Sequence, residues 1–196
     1  QLHIAQLEAL ATAGVFSESF GQQRRDALWS AGAVIQSRPG TLDGVTTGVE
    51  SPHLPGMQPM EEAIADLWAT GVSTSGHPTE FLRVELERMG VATAMQLPQR
   101  GARGDEKVLV AGTVTHRQRP MTAQGITFIN LEDETGHINV VCSVGCWARY
   151  RKVARGAGAL LVRGRLEVGD GGVINVVAEH IAPLHVAAKV AARNFR

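Results

Sequence analysis

KVLVAGTVT (107–115), GITFINL (125–131), GHINVVCS (136–143), ALLVRGRLEV (159–168) and VINVVAEHI (173–181) decide the fold. Each run alternates apolar and polar residues, the period of a half-buried strand. Between the third and fourth lies GCWARYRKVAR (145–155), whose apolar residues recur at helical spacing instead. Three strands, a helix and two more strands are the order of an OB-fold, a five-stranded Greek-key barrel. The chain is therefore expected to be α+β, with an N-terminal helical segment leading into that barrel.

Several barrel positions invite a binding role. HRQRP (116–120) reads as the loop joining the first two strands, and it places Arg117 and Arg119 where OB-folds take oligonucleotides. On the fourth strand Leu160, Val162, Leu166 and Val168 are expected inward, and Arg163 and Arg165 outward, as suits a polyanion backbone. In the helix Trp147, Tyr150 and Ala154 share a face that should plug the barrel bottom. Arg149, Lys152 and Arg155 form another face, which meets either phosphates or solvent. Phe128 has two readings, core residue or stacking platform, because Ile126/Phe128 and Ile129/Leu131 are both apolar. In LEDETG (131–136) Asp133 suits a hydrogen bond to the turn backbone and Gly136 a positive φ; the acids match no ion-loop spacing.

Composition adds a charge asymmetry. The net charge is zero, but residues before Gln99 carry five Lys/Arg against eleven Asp/Glu, and those from Gln99 onward fourteen against eight. A basic barrel behind an acidic segment fits a polyanion partner for the barrel. Cys142 and Cys146 are too few for a disulfide framework or a zinc site, even with His137, so no metal is expected. No run approaches 18 apolar residues, and a cytoplasmic chain without membrane contact is expected. Its start, without Met and directly in a helical pattern, reads as that of a fragment.

Upstream, residues 1–36 read as two helices of a helical hairpin remnant, the first stopped by Gly14 and the second running from about Gln22 to Val34. In the second, Ala27, Leu28, Ala31 and Val34 should face inward. Such hairpins bind phosphates through helix N-termini, and Arg24 and Arg25 are the cations available; two helices packing together are the plainer reading. Pro- and Gly-rich 37–58 is a linker. Residues 59–98 form a helical connector, with Pro59 in a first turn, Ile64, Leu67 and Trp68 on one face, and stops at Gly71 and Gly90. His77 has no motif partner for catalysis and reads as a cap or a packing residue. Residues 99–185 are the barrel, expected to fold without the upstream part, and 186–196 a tail.

RQRPMTAQGITFINLEDETGHINVV resembles the OB module of bacterial C-family DNA polymerase α chains of the error-prone, damage-induced type. MEEAIADLWATGVSTSGHP is similar to the segment before that module, LEALATAGVF to the tail of the helix-hairpin-helix region, and ARNFR to the family's ending, with Asn194 where an acid is expected. The resemblance implies a non-catalytic C-terminal region of a translesion polymerase, its barrel holding single-stranded template DNA. It implies partners in a catalytically inactive Y-family-like polymerase and, through it, the sliding clamp. The parent would use Mg²⁺ on palm aspartates that this sequence lacks, so no cofactor is expected here. CSVGCW (142–147) departs from the family's apolar-aromatic-proline run and puts the helix start in question. Two other readings stand beside this one: a protein-docking module of a translesion assembly, and the anticodon barrel of a class II tRNA synthetase. The second shares the F…L.D.TG pattern but leaves the upstream helices unexplained.

Overall fold

The structure is a computed structural model; it describes residues 2–36, 50–73, 75–101, 106–185 and 193–194. The chain forms two compact units, Gln1–Ser75 and Gly76–Arg196. The expected linker falls partly, and the tail mostly, outside the described residues.

The first unit holds α1 (Ile4–Thr12), α2 (Val15–Phe20), α3 (Arg24–Gln36) and α4 (Pro59–Thr70). Gly14, at φ 76°, separates α1 from α2, a helix not anticipated. Small residues fill the core: Ala11, Ala27, Ala31 and Ala63 are buried with Ile64. Alanine contacts let helices approach closely and leave bulky neighbours at the margins, so Val34 and Trp68 are exposed, against expectation. Arg24 Nη1 donates to Asp66 Oδ1 at 2.6 Å and to the carbonyls of Thr12 and Glu62 at 3.3 Å. Arg25 Nη2 donates to Glu61 at 2.9 and 3.0 Å. Both cations tie this unit together, which favours the packing reading over the phosphate-binding one.

The second unit contains α5 (Arg83–Arg88), β1 (Val91–Ala92) and α6 (Leu97–Gly101) ahead of the barrel. The barrel itself is β2 (Lys107–Gln118), β3 (Thr127–Asp133), β4 (Gly136–Cys142), α7 (Val144–Gly156), β5 (Ala159–Val168) and β6 (Ile174–Pro183). The strands run β2–β3–β4–β6–β5, and β5 closes back on β2. One row of register partners runs Gln118, Phe128, Val141, Val177, Arg165, and returns to β2 at Lys107. That return falls eleven residues below Gln118, the stagger that tilted strands need in order to close. β1 lies parallel beside β2, and β7 (Arg193–Asn194) pairs with β2 at His116 and Arg117.

The interior is aliphatic, with Val110, Leu131, Ile138, Leu160, Val162 and Val176 among its buried residues. Two glycines let strands pass closely. A Cβ on Gly112 would lie 2.6 Å from the Glu132 carbonyl oxygen, and one on Gly164 would be driven into that of Val177. Trp147, Tyr150 and Val153 of α7 close one end, around buried Ala154. The CSVGCW departure still starts a helix, because Ser143 Oγ accepts from Cys146 N at 3.2 Å. Val168, expected inside, is exposed where β5 runs out into the GDGG turn.

The segment before the barrel belongs to it. Leu86 and Val91 are buried with Ala111 against Leu109 and Leu161 on the outer side of β2 and β5. Glu134 accepts from Arg83 Nε, from Arg83 Nη2 at 2.9 Å and from Thr79 Oγ1 at 2.5 Å. Asp133 accepts from Ala94 N at 2.8 Å, Thr135 N at 2.7 Å and Gly136 N at 3.0 Å, and Gly136 sits at φ 148°. His77 lies between Thr79 Oγ1 (2.6 Å) and Thr113 Oγ1 (3.2 Å). The unit therefore begins at Gly76, inside the stretch read as a connector.

Candidate nucleic-acid interface

The outer surface of β2, β3, β4 and β6 carries a polar row at matching register. His116 pairs with Asn130, Asn130 with Asn139, and Asn139 with Asn175. The neighbouring row runs Gln118, Phe128, Val141. Together His116, Gln118, Phe128, Asn130, Asn139 and Asn175, with Ile129 and Val140 beneath, line a concavity of about 240 Å³. Its lining offers amide and imidazole groups and one aromatic face, and contains no Lys or Arg. Amides both donate and accept, which suits base edges; an aromatic face suits a base plane.

The alternation in β3 settles Phe128. Thr127, Ile129 and Leu131 point inward, and Phe128 stands outward, 40% exposed, at the rim of the concavity. It is a surface residue and not part of the core.

Arg117 corrects the sequence reading. β2 continues through HRQ rather than ending at Thr115, and its pairing with β3 shifts between Val114 and His116. The extra residue of a bulge reverses which neighbour faces inward. His116 and Gln118 thereby join the outer row, while Arg117 enters the barrel end, 6% exposed. Its Nε donates to the Ala154 carbonyl at 2.6 Å and its Nη2 to that of Ala157. Burial lowers its pKa, and the two carbonyls at the C-terminal end of α7 take its donors. Arg117 is thus a structural cap on α7, buried and not displayed on the outer surface.

The other cations fall in three places. Arg119 is exposed just beyond β2, next to Gly125: a Cβ there would lie 3.4 Å from Arg119 Nη2 and 3.1 Å from Val144. Arg163 and Arg165 stand outward on β5 as expected; Arg165 shares Phe128's register row, beyond Val141 and Val177. Arg165 Nε is 3.6 Å from Glu179, as Lys107 Nζ is at 3.9 Å. Arg149 and Lys152 are exposed on α7. The seven residues that sequence reasoning singles out form no single cluster, and the amide row is not among them. A signal is present: Ile129-Asn130-Leu131, Ile138-Asn139-Val140 and Ile174-Asn175-Val176 repeat one inward–outward–inward pattern.

Three titratable groups away from this surface are held within the packing of the second unit. Burial lowers the His77 pKa despite the surrounding Glu132, Glu134, Asp133 and Glu80. Glu134 is held below the usual carboxylate range: burial pushes it up, but the hydrogen bonds from Arg83 and Thr79 outweigh that. Buried Cys142 is pushed up to about 12, an unreactive thiol. Among the described residues no three His, Cys, Asp or Glu gather where a metal could be held, and no helix is long and apolar enough to cross a membrane.

Residues 108–184 match the family described as OB-fold nucleic acid binding domain. The whole chain is 53% identical over 197 residues to the error-prone DNA polymerase of Mycobacterium bovis, and 50% identical over 203 residues to that of Nocardia farcinica. In each case the match covers all of this chain and 18% of the relative, so the chain spans less than a fifth of these polymerases. A solved asparaginyl-tRNA synthetase from Pyrococcus horikoshii is similar at 19% identity and a TM-score of 0.41, over 50% of this chain and 24% of that one.

Proposed function

We propose, from the similarity of this whole chain to a part of bacterial error-prone DNA polymerases, that the barrel holds single-stranded template DNA for such an enzyme during translesion synthesis. The reading rests on the row His116–Asn130–Asn139–Asn175 beside outward Phe128, a surface able to meet base edges and stack one base. In this reading Phe128 stacks, the amides touch bases, and Arg119, Arg163 and Arg165 meet flanking phosphates. Chemistry is left to other parts of the polymerase. Phe128→Ala should weaken single-stranded DNA binding by about 1–3 kcal/mol, or about five- to 150-fold. Unchanged affinity in a folded variant would sink the reading.

A second reading, docking to other proteins of a translesion assembly, draws on Phe81, Val84, Met89 and Met95, large apolar side chains exposed on the segment preceding the barrel. If it holds, substituting them weakens partner capture and leaves DNA affinity unchanged.

A further inference from the structure

The concavity contains no cation, yet binding a nucleic acid strand ordinarily requires neutralising its phosphates. Among the described residues, four cations lie together instead on α7. Arg149, Arg151, Lys152 and Arg155 are all exposed, the helix contains no acid, and none of the four forms an ion pair among the described residues. At about 100° per residue they fan over roughly 160° of the helix surface. The opposite face, with Trp147, Tyr150 and Val153, is packed on the barrel.

The helix that carries this basic face starts at one end of the amide surface. Val141, the register partner of Phe128, leads through Cys142 and the capping Ser143 into α7. Across the same corner Val144, in the first turn, and Arg119 both lie against Gly125. Arg119 and the start of α7 thus lie at the Phe128 end of the surface. Three of the four cations are arginines, whose planar guanidinium matches phosphate oxygens in pairs.

We infer that α7 is a second station for the same single strand: bases engage the amide row, and the phosphates beyond Phe128 run onto Arg149, Arg151, Lys152 and Arg155. The inference rests on the proposed function above and adds a direction and a length to it. Its signature is dependence on oligonucleotide length, within the span of about 4–16 nucleotides that one OB-fold occupies.

The test measures binding of the whole chain to oligothymidylates of about 4 and about 12 nucleotides over a salt series. The variant replaces Arg149, Arg151, Lys152 and Arg155 together by Gln, a good helix former. For the long oligonucleotide the log–log salt slope should become shallower by about 0.7 for each phosphate left without its cation, about two to three in all. The short one should bind the variant as it binds the parent. Replacing the three arginines by Lys keeps the charge and should keep the slope, which separates loss of charge from damage to α7. Phe128→Ala, measured alongside, should weaken both lengths. If the long oligonucleotide keeps its slope in the Gln variant while Phe128→Ala weakens binding, the α7 station is wrong and the amide surface stands. If neither variant changes binding, both fail. Equal losses for both lengths would also overturn the inference, since α7 would then act on the whole field and not on a continuing strand.

Discussion

Arg117 Nε donates to the carbonyl oxygen of Ala154 at 2.6 Å, joining the far end of β2 to the last turn of α7 from inside the barrel. A helix C-terminus leaves carbonyls without partners, and here a guanidinium carried on a strand supplies them.

Removing that guanidinium should therefore cost stability and not phosphate binding. Arg117→Ala leaves two carbonyls unsatisfied, and a lost hydrogen bond to a charged group is worth about 1.5–3 kcal/mol. The urea midpoint should fall accordingly, while the salt slope of DNA binding in the folded variant stays as it was. A stable variant with a shallower slope would return Arg117 to the phosphate-binding set.

Glycine substitutions should divide by what a Cβ meets. Gly112→Ala and Gly164→Ala press against strand carbonyls and should each destabilise by about 1–3 kcal/mol or more, as overpacking does. Gly145→Ala and Gly156→Ala, with nothing within 4 Å, should be neutral or gain up to about 1 kcal/mol of helix propensity. Comparable thermal shifts in the two pairs would contradict the barrel geometry.

Stability should fall on mild acidification. The lowered His77 pKa means that the unfolded chain takes up a proton more readily than the folded one, so this contribution is whole above about 6.5 and shrinks as pH drops below it. Glu134, also lowered, acts in the same sense at lower pH, below the ordinary carboxylate value. Urea midpoints measured between about pH 7.5 and 4 should decline in both ranges. His77→Gln should flatten the upper part, and an equally steep decline there would acquit His77.

Truncation should separate two boundaries. Residues 76–185 retain Leu86 and Val91 over Ala111 and the Arg83–Glu134 pair, and should melt cooperatively. Residues 100–185 uncover that apolar patch and should melt broadly or at a markedly lower temperature. Identical melts would mean that the upstream segment adds nothing.

What is legible in the sequence follows from local pattern. Five period-two runs and a helical one are enough for the barrel, and Pro59, Gly71 and Gly90 fall at the expected helix positions. Arg117 escapes such reasoning because a one-residue bulge reverses facing, and the stretch around Val114 carries no mark of it. Trp68 and Val34 escape it because helical periodicity identifies a face without revealing that alanines fill it. The amide row needs register: Asn130, Asn139 and Asn175 come from three strands, and their alignment exists only once pairing is known.

That origin makes the surface a gauge of the whole barrel. His116 and Asn175 stand 59 positions apart in the chain and share a row only because every intervening pairing is intact. No short peptide from this protein can reproduce the surface, and a partly unfolded barrel cannot keep half of it. A ligand held there binds the native state alone. Saturation at 100 times Kd should therefore raise the stability of the entire second unit by about 2.7 kcal/mol, and hydrogen exchange should slow even in strands the ligand never touches.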